Sequence, residues 1–292
     1  MQIDTIINVL AAVALFAMMA GVGIGVTIGD VLSVAKNWKL SLRAGLANYL
    51  LVPAIAIGLL LLLHPAPMVA VGFLVAVVCP GAPFGPPFTA MAKGKVTAAV
   101  GLMAILAGSS AIIAPLLLRF LLPIVAGHGT LTVNPVKIIT TLMLNQFLPL
   151  GLGLTLRQLK PELAEWLKKP VSRLSALLNI LLASLILVVQ FKMLQQIRIE
   201  GYLGMLTMVI ATLMAGWLVG GPGEEERKTM AIVTSTRNVG VALVIAASNF
   251  PGTPAISAAT AYALFQTLAV LLIAMLWGSV APGISAQRKA AA

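Results

Sequence analysis

The sequence predicts an all-α polytopic membrane protein with about nine transmembrane helices arranged as an inverted repeat. Three observations support this fold class. Of the 292 residues, 60% are hydrophobic and only 9% are charged, whereas soluble domains carry about 25% charged residues. Long apolar segments recur along the chain, and Lys and Arg fall mainly in alternate connections between them. Two of these segments contain residues that interrupt a helix.

Nine apolar segments are separated by charged residues or by clusters of proline and glycine. Most are close to the ~20 residues that a helix needs to cross the hydrocarbon core. The segments are 5–28, 41–63, 68–91, 96–124, 135–156, 172–191, 201–220, 228–249 and 254–281. We expect one transmembrane domain over residues 1–292, with four spans in a first half (1–126) and five in a second half (133–285).

The distribution of lysine and arginine assigns the two sides of the membrane. One side receives Lys36, Lys39, Arg43, Lys93, Lys95, Arg157, Lys160, Lys168, Lys169, Arg173, Arg227, Lys228, Arg288 and Lys289. The other side receives Arg119, Lys192 and Arg198. Because cytoplasmic loops are enriched in Lys and Arg, we expect the N-terminus outside, the C-terminus in the cytoplasm and an inner (plasma) membrane location. The net charge of +11 therefore marks a membrane face and does not indicate a nucleic-acid partner.

The third segment cannot form one continuous helix. It contains the run Cys-Pro-Gly-Ala-Pro-Phe-Gly-Pro-Pro at residues 79–87. Each proline lacks a backbone donor and clashes with the preceding helical turn. Non-helical backbone at membrane depth is tolerated where it lines a cavity or is buried in protein. A re-entrant turn or a long loop is the alternative, but the flanking apolar runs favour an interrupted span.

The eighth segment contains Arg237 within the polar run Thr-Ser-Thr-Arg-Asn-Val-Gly at residues 234–240. Arg237 is the only charged residue between Lys228 and Arg288, and a charge at bilayer depth costs about 3 kcal/mol on insertion scales. Such residues usually serve a functional site. We expect Arg237 to face a polar cavity and hold an anion. Alternatively, it bonds backbone carbonyls freed by a broken helix, or it extends to the membrane surface.

The two interrupted segments occupy related places in the two halves of the chain. Each is the next-to-last segment of its half. Paired interruptions of this kind indicate an inverted-repeat secondary transporter. The ends of the half-helices would then meet near the middle of the membrane, where helix N-termini favour anions.

Three stretches of the chain resemble the bile acid:sodium symporter family. They are CPGAPFGPPFTAMAKGK (79–95), APLL (114–117) and KTMAIVTSTRNVGVALVIAASNF (228–250). The resemblance covers nearly the whole chain and is to a nine-span form, which lacks the extra N-terminal span of ten-span bacterial members. It implies a panel domain plus a core domain with two crossing, unwound helices. Members of that family carry bile acids or other organic anions, usually with sodium.

The resemblance also implies where sodium ligands would fall, and this chain departs from that pattern. The residues at the corresponding positions are Asn48, Gly85, Pro86, Ala99, Met103, Val233 and Arg237. Only Asn48 offers a side-chain oxygen, and the family's glutamate falls on Val233. A fixed cation at Arg237 would repel sodium by about 4 kcal/mol at 4 Å and an intermediate dielectric. We therefore expect no metal and no other cofactor, and we expect the guanidinium to balance the charge of an anionic substrate.

The predicted function is secondary transport, or facilitated passage, of a small organic anion by alternating access without sodium. The predicted substrate-binding residues are Asn48, Gly85, Pro86, Thr234, Ser235, Thr236, Arg237 and Asn238, and the second-rank candidates are Ser109, Ser110, Asn145 and Gln146. One alternative is a conventional sodium symporter that uses backbone carbonyls and hydroxyl groups such as those of Thr234 and Ser235. Another is a membrane sensor that binds an anion without moving it.

The sequence carries no motif of a phosphate-binding loop, a serine nucleophile or a zinc protease. No enzymatic activity is therefore expected. The expected partners are the small organic anion and the lipid bilayer.

Overall fold

The computed structural model describes residues 2–126, 134–189 and 191–279. Over those ranges the regular elements are all helical, without strands. Eight helical stretches are long and apolar enough to cross a membrane, which confirms the polytopic all-α fold class. They are Thr5–Gly25, Trp38–Leu63, Val96–Ala126, Pro135–Leu159, Pro161–Val189, Ile199–Val219, Glu224–Asn249 and Pro254–Ser279. Arg288 and Lys289, which were assigned to the basic side, lie outside the described residues.

The helices are numbered in chain order. They are α1 (Gln2–Gly25), α2 (Ile28–Lys36), α3 (Trp38–Leu46), α4 (Val52–Leu63), α5 (Pro67–Val77), α6 (Gly85–Met91), α7 (Val96–Ala126), α8 (Pro135–Leu142), α9 (Leu148–Leu159), α10 (Pro161–Val189), α11 (Phe191–Gln195), α12 (Ile199–Val219), α13 (Glu224–Ser235), α14 (Val239–Asn249) and α15 (Pro254–Ser279). Two π-helical turns, Ala47–Leu51 and Met143–Phe147, join α3 to α4 and α8 to α9. Turns of this type are frequent at functional sites.

Two elements differ from the sequence prediction. Helix α2 was not predicted, and it begins with a capping box in which Thr27 Oγ1 accepts the N–H of Asp30 while the Asp30 carboxylate accepts the N–H of Thr27. Helix α10 begins at Pro161, whereas the sixth segment was placed at 172–191. The charged stretch before residue 172 resembles a loop in composition, but a proline at the first position and Glu162 in the first turn favour a helix start.

The third segment is interrupted, as predicted. Helix α5 ends at Val77 and α6 begins at Gly85, so residues 78–84 connect two short helices. Gly81 lies in this first break with φ of +84°, a conformation that glycine adopts without steric cost. A Cβ on Gly81 would also overlap the backbone of Ala107 on α7. The first break therefore packs closely against α7.

The eighth segment is interrupted as well, although it contains no proline. Helix α13 ends at Ser235, and Thr236 adopts an extended conformation with φ of −90° and ψ of 125°. Asn238 Oδ1 accepts the N–H of Val241 at 3.2 Å and caps α14. A capping side chain offers the backbone an alternative to a continuous helix. This second break, residues 236–238, therefore follows from the local polar sequence.

The membrane helices pack in two groups. Helix α1 packs most extensively against α9 and α10, and a Cβ on Gly23 or Gly153 would overlap the backbone of the facing helix. We call α1 and α8–α10 the panel group, and α3–α7 with α12–α15 the core group. Contacts of α1 with α14 and of α7 with α8 join the groups. The inverted repeat and the membrane orientation remain predictions.

Candidate functional site

The two breaks contact each other directly. The backbone N–H of Asn238 donates to the carbonyl of Cys79 at 2.7 Å, and Asn238 Nδ2 donates to the carbonyl of Gly81 at 3.3 Å. These carbonyls are available because residues 78–84 do not continue the hydrogen-bond ladder of α5. Asn238 is fully buried and its amide is used by the fold. In this conformation Asn238 positions the two breaks.

Arg237 lies in the second break with 1% of its surface exposed. Its Nη2 donates to Asn48 Oδ1 at 2.8 Å, and its Nη1 donates to the carbonyl of Val77 at 3.2 Å. Because Val77 ends α5, its carbonyl is one that a broken helix leaves free. This bond matches the alternative in which Arg237 pairs with such carbonyls. The burial of Arg237 contradicts the alternative in which it extends to the membrane surface.

The guanidinium of Arg237 keeps donors that the protein does not use. A guanidinium has five N–H donors, and Asn48 and Val77 accept two of them. Arg237 Nε has no partner among the described residues, and neither does the buried Thr234 Oγ1. An unpaired buried polar group costs about 1–3 kcal/mol. These atoms therefore have capacity for a polar ligand.

Asn48 is fixed in place within the π-helical turn Ala47–Leu51. It is fully buried, and its Nδ2 donates to the carbonyl of Ala44 at 2.9 Å. Its oxygen is thereby directed at Arg237. The neighbouring Tyr49 hydroxyl lies 2.7 Å from Ser109 Oγ, which ties the same turn to α7. Asn48 therefore contacts Arg237, whereas the second-rank candidate Ser109 pairs with Tyr49.

Gln266 on α15 holds the backbone of Arg237, and the sequence analysis missed it. The N–H of Arg237 donates to Gln266 Oε1 at 3.1 Å, and Gln266 Nε2 donates to the carbonyl of Arg237 at 3.3 Å. The amide therefore replaces the hydrogen bonds that a continuous helix would supply. A sequence signal exists, because Gln266 is a lone amide inside the ninth apolar segment.

A comparison with models of known protein families assigns the chain to a family. A sequence profile described as the Sodium Bile acid symporter family matches residues 12–216, which is more than half of the chain. The chain belongs to the sodium bile acid symporter family. That family suggests a transporter of bile acids or other organic anions. Among curated proteins, no sequence matches this chain. The matched range ends within α12, so Arg237 and the second break lie beyond it.

In this symporter-family member, apolar packing fills the positions to which the sequence resemblance assigns sodium ligands. Ala99, Met103 and Val233 are 0%, 5% and 3% exposed. Ala99 and Val233 belong to the same apolar cluster. Of the side chains whose burial is described, no carboxylate is buried. The oxygen-rich environment that a hard cation needs is therefore not supplied by side chains at these positions.

The electrostatics of the site favour an anion. Arg237 is the only charged residue among the described buried side chains, and burying an ion costs several kcal/mol unless it is paired. The C-terminal end of α5 carries about half a negative charge and offsets part of this cost. The other acceptor, Asn48, is neutral. The site between the breaks therefore keeps a net positive charge.

Two of the three predicted hydroxyl residues, Ser235 and Thr236, are buried but bond locally. Ser235 and Thr236 donate to the carbonyl of Ile232 at 3.1 and 2.9 Å. A Cβ on Gly85 would lie 3.6 Å from Thr236 Oγ1, so Gly85 and Thr236 bring the ends of α6 and α13 together. Pro86 is buried in the first turn of α6. Over the described residues, neither Ser235 nor Pro86 bonds to Arg237.

Gln146 links the panel group to the core group beside the first break. It lies in the π-helical turn Met143–Phe147 and is fully buried. Its Nε2 donates to Ser110 Oγ at 2.9 Å and to the carbonyl of Ala107. Ala107 is the residue against which Gly81 packs. Asn145, in contrast, donates to the carbonyl of Thr141 in its own helix.

Proposed function

We propose that the protein carries a small organic anion by alternating access and that Arg237 supplies the positive charge at the binding site. The observation that carries this proposal is the buried guanidinium, which lies between the two breaks and bonds only neutral acceptors. A carboxylate can accept two N–H groups of one guanidinium at once. Such a ligand would use donors that the fold leaves free and would offset the buried charge.

The same geometry argues against coupling to sodium through this site. A sodium ion 4 Å from the guanidinium would be opposed by about 4 kcal/mol at an effective dielectric of 20. The apolar packing of Ala99 and Val233 removes side-chain ligands that could offset this repulsion. Sodium-independent transport is therefore the function that fits these residues.

Access to the site would require the panel group to move relative to the core group. Arg237 and Asn48 both belong to the core group, so the charged site would move as one unit. Gly240, two residues after Asn238, packs against Leu15 and Met18 of α1. Gln146 makes another close contact between the groups. Opening at these contacts would expose the breaks without separating Arg237 from Asn48.

Uptake by proteoliposomes tests the proposal. Bile acids and short mono- and dicarboxylates would be supplied in sodium or in potassium, with wild type, Arg237→Gln and Arg237→Lys. The control is Arg119→Gln, which removes an exposed arginine of α7. We expect equal uptake in both salts, at least ten-fold less uptake for Arg237→Gln, and a smaller loss for Arg237→Lys. Sodium-dependent uptake that survives Arg237→Gln would indicate a conventional symporter, and binding without uptake would indicate a sensor.

A further inference from the structure

A second basic site lies away from the breaks, where α12 ends and α13 begins. A cavity of about 550 Å³ opens there to the surface. It is lined by Arg43, Leu218, Val219, Gly221, Pro222 and Arg227. The anion carrier proposed above makes no use of these residues.

Two guanidinium groups converge on Gly221 in this cavity. Arg227 Nε donates to the carbonyl of Gly221 at 2.8 Å. Arg43 Nη1 lies 3.3 Å from the position that a Cβ on Gly221 would occupy. Gly221 has φ of +112°, so the turn requires glycine, and Glu226 Oε2 lies 2.8 Å from the same Cβ position. Arginine forks of this kind match the oxygens of a phosphate group.

The charges around the cavity remain positive overall. Glu226 lies beside Gly221, and its Oε1 already pairs with Lys95 Nζ at 2.7 Å. Arg43 and Arg227 add two positive charges next to that pair. The side chain of Arg43 donates no hydrogen bond within the described chain, and both arginines are exposed. Their remaining donors are available to an anion.

The cavity is bordered by residues that are typical of the membrane–water interface. Leu218, which lines it, is 78% exposed near the end of a membrane helix. Trp217 precedes it, and Trp38 opens the helix that carries Arg43. Tryptophan is enriched at the membrane–water interface. An exposed leucine next to two arginines therefore offers an apolar surface for an acyl chain beside a positive site for a headgroup.

We propose that this cavity binds the phosphate group of an anionic phospholipid, with Arg43 and Arg227 as its ligands. Basic pockets between membrane helices bind such headgroups. A role limited to capping α12 is the competing explanation, because cations near a helix C-terminus also stabilise the helix. Only the lipid-binding explanation predicts a binding affinity that depends on the lipid headgroup.

Native mass spectrometry of the detergent-purified full chain tests this assignment. The probes are phosphatidylglycerol, phosphatidylcholine and inorganic phosphate. We expect wild type to retain phosphatidylglycerol in preference to phosphatidylcholine. Each substitution, Arg43→Gln or Arg227→Gln, should weaken phosphatidylglycerol binding about five-fold. The control for the double variant Arg43→Gln/Arg227→Gln is Lys169→Gln/Arg173→Gln, which also removes two positive charges but from exposed positions on α10 and should bind as wild type does.

Three results would overturn the assignment. The first is equal retention of both lipids, and the second is phosphatidylglycerol binding that Arg43→Gln/Arg227→Gln leaves unchanged. The third is saturable binding of inorganic phosphate that displaces no lipid, which would assign the cavity to a soluble anion. Because Arg227 also bonds Gly221, the melting temperature of each variant is measured in phosphatidylcholine alone. In phosphatidylcholine alone, Arg43→Gln should have the same melting temperature as wild type. It should still have a lower affinity for phosphatidylglycerol.

Discussion

Arg237 Nη2 and Asn48 Oδ1 lie 2.8 Å apart, and this hydrogen bond joins the second break to the π-helical turn of the second span. Asn48 is itself held by the carbonyl of Ala44. The bond orients the guanidinium but brings no negative charge to it. An anion carrier needs a cation of this kind, held in place and not neutralised.

Asn48→Asp should convert this contact into an internal ion pair. The carboxylate of the new Asp side chain would neutralise Arg237, so we expect anion uptake to fall at least ten-fold. We also expect a melting temperature several degrees higher without ligand, because a buried charge gains a partner and breaking such a pair costs about 3–5 kcal/mol. Uptake by proteoliposomes and thermal unfolding in detergent measure the two effects.

The matched control for that variant is Asn249→Asp. Asn249 on α14 also donates its amide to the carbonyl four residues earlier, at 2.9 Å. It lies about 16 Å along the helix from Asn238. Asn249→Asp should leave uptake unchanged and should not raise the melting temperature. Full anion uptake in Asn48→Asp would show that the charge of Arg237 is not used for substrate.

Gly81→Ala should destabilise the first break. The residue has a positive φ, and the added methyl group would overlap the backbone of Ala107. The left-handed conformation alone costs about 1–2 kcal/mol for a residue with a Cβ, and the overlap adds to it. Gly58→Ala is the control, because a Cβ at Gly58 meets nothing within 4 Å. Thermal unfolding should show a lower melting temperature for the first variant only.

Gln266→Ala should destabilise the second break while leaving Arg237 in the chain. It removes the partners of both the N–H and the carbonyl of Arg237. Two buried backbone groups left unpaired cost about 2–6 kcal/mol. Thr267→Ala on the same helix removes a hydroxyl that bonds its own helix and should cost less. Equal melting temperatures for the two variants would contradict the role assigned to Gln266.

Lys95 connects the start of α7 to the start of α13. Its N–H donates to Thr229 Oγ1 at 2.7 Å, and its Nζ pairs with Glu226 at 2.7 Å. The ion pair is exposed to solvent, so Lys95→Ala should cost less than about 1 kcal/mol. Thr229→Val, which removes an acceptor that is 1% exposed, should cost more. Thermal unfolding of both variants at neutral pH measures the difference.

The pH dependence of this ion pair has a defined sign. The hydrogen bond with Glu226 raises the pKa of Lys95 above its ordinary value. Stability from the pair is therefore complete between about pH 4.3, the ordinary pKa of glutamate, and about pH 10.4, the ordinary pKa of lysine, and on the alkaline side it is lost as the pH rises through the raised pKa of Lys95. The free energy of unfolding of Lys95→Ala should be lower than that of wild type at pH 8. At pH values above the raised pKa of Lys95, the two free energies should approach each other.

Both breaks were predictable because their causes are local. The prolines of residues 79–87 cannot continue a helix, and the polar run at 234–240 contains the asparagine that caps α14. The contact between Arg237 and Asn48 joins two positions that the family resemblance had already singled out. Arg237 could also be identified without that resemblance, because a charge at membrane depth is energetically costly and therefore rare.

The remaining partners of Arg237 could not be predicted, because they are set by tertiary packing. A backbone carbonyl such as that of Val77 has no sequence signature. Gln266 lies on another helix, and its amide resembles any isolated polar residue in a membrane segment. The early start of α10 was missed because its first turns are rich in charged residues. Pro161 at the first helical position and Glu162 in the first turn favoured a helix there despite that composition.

The most direct test of the central claim is the thermal stability of the detergent-purified protein with a panel of organic anions, in sodium and in potassium, for wild type and Arg237→Gln. A ligand that binds only the folded state stabilises it by about 2.7 kcal/mol at 100 times its Kd. We predict that an anion raises the melting temperature of wild type equally in both salts and has no effect on Arg237→Gln. Stabilisation that requires sodium and persists in Arg237→Gln would contradict the account.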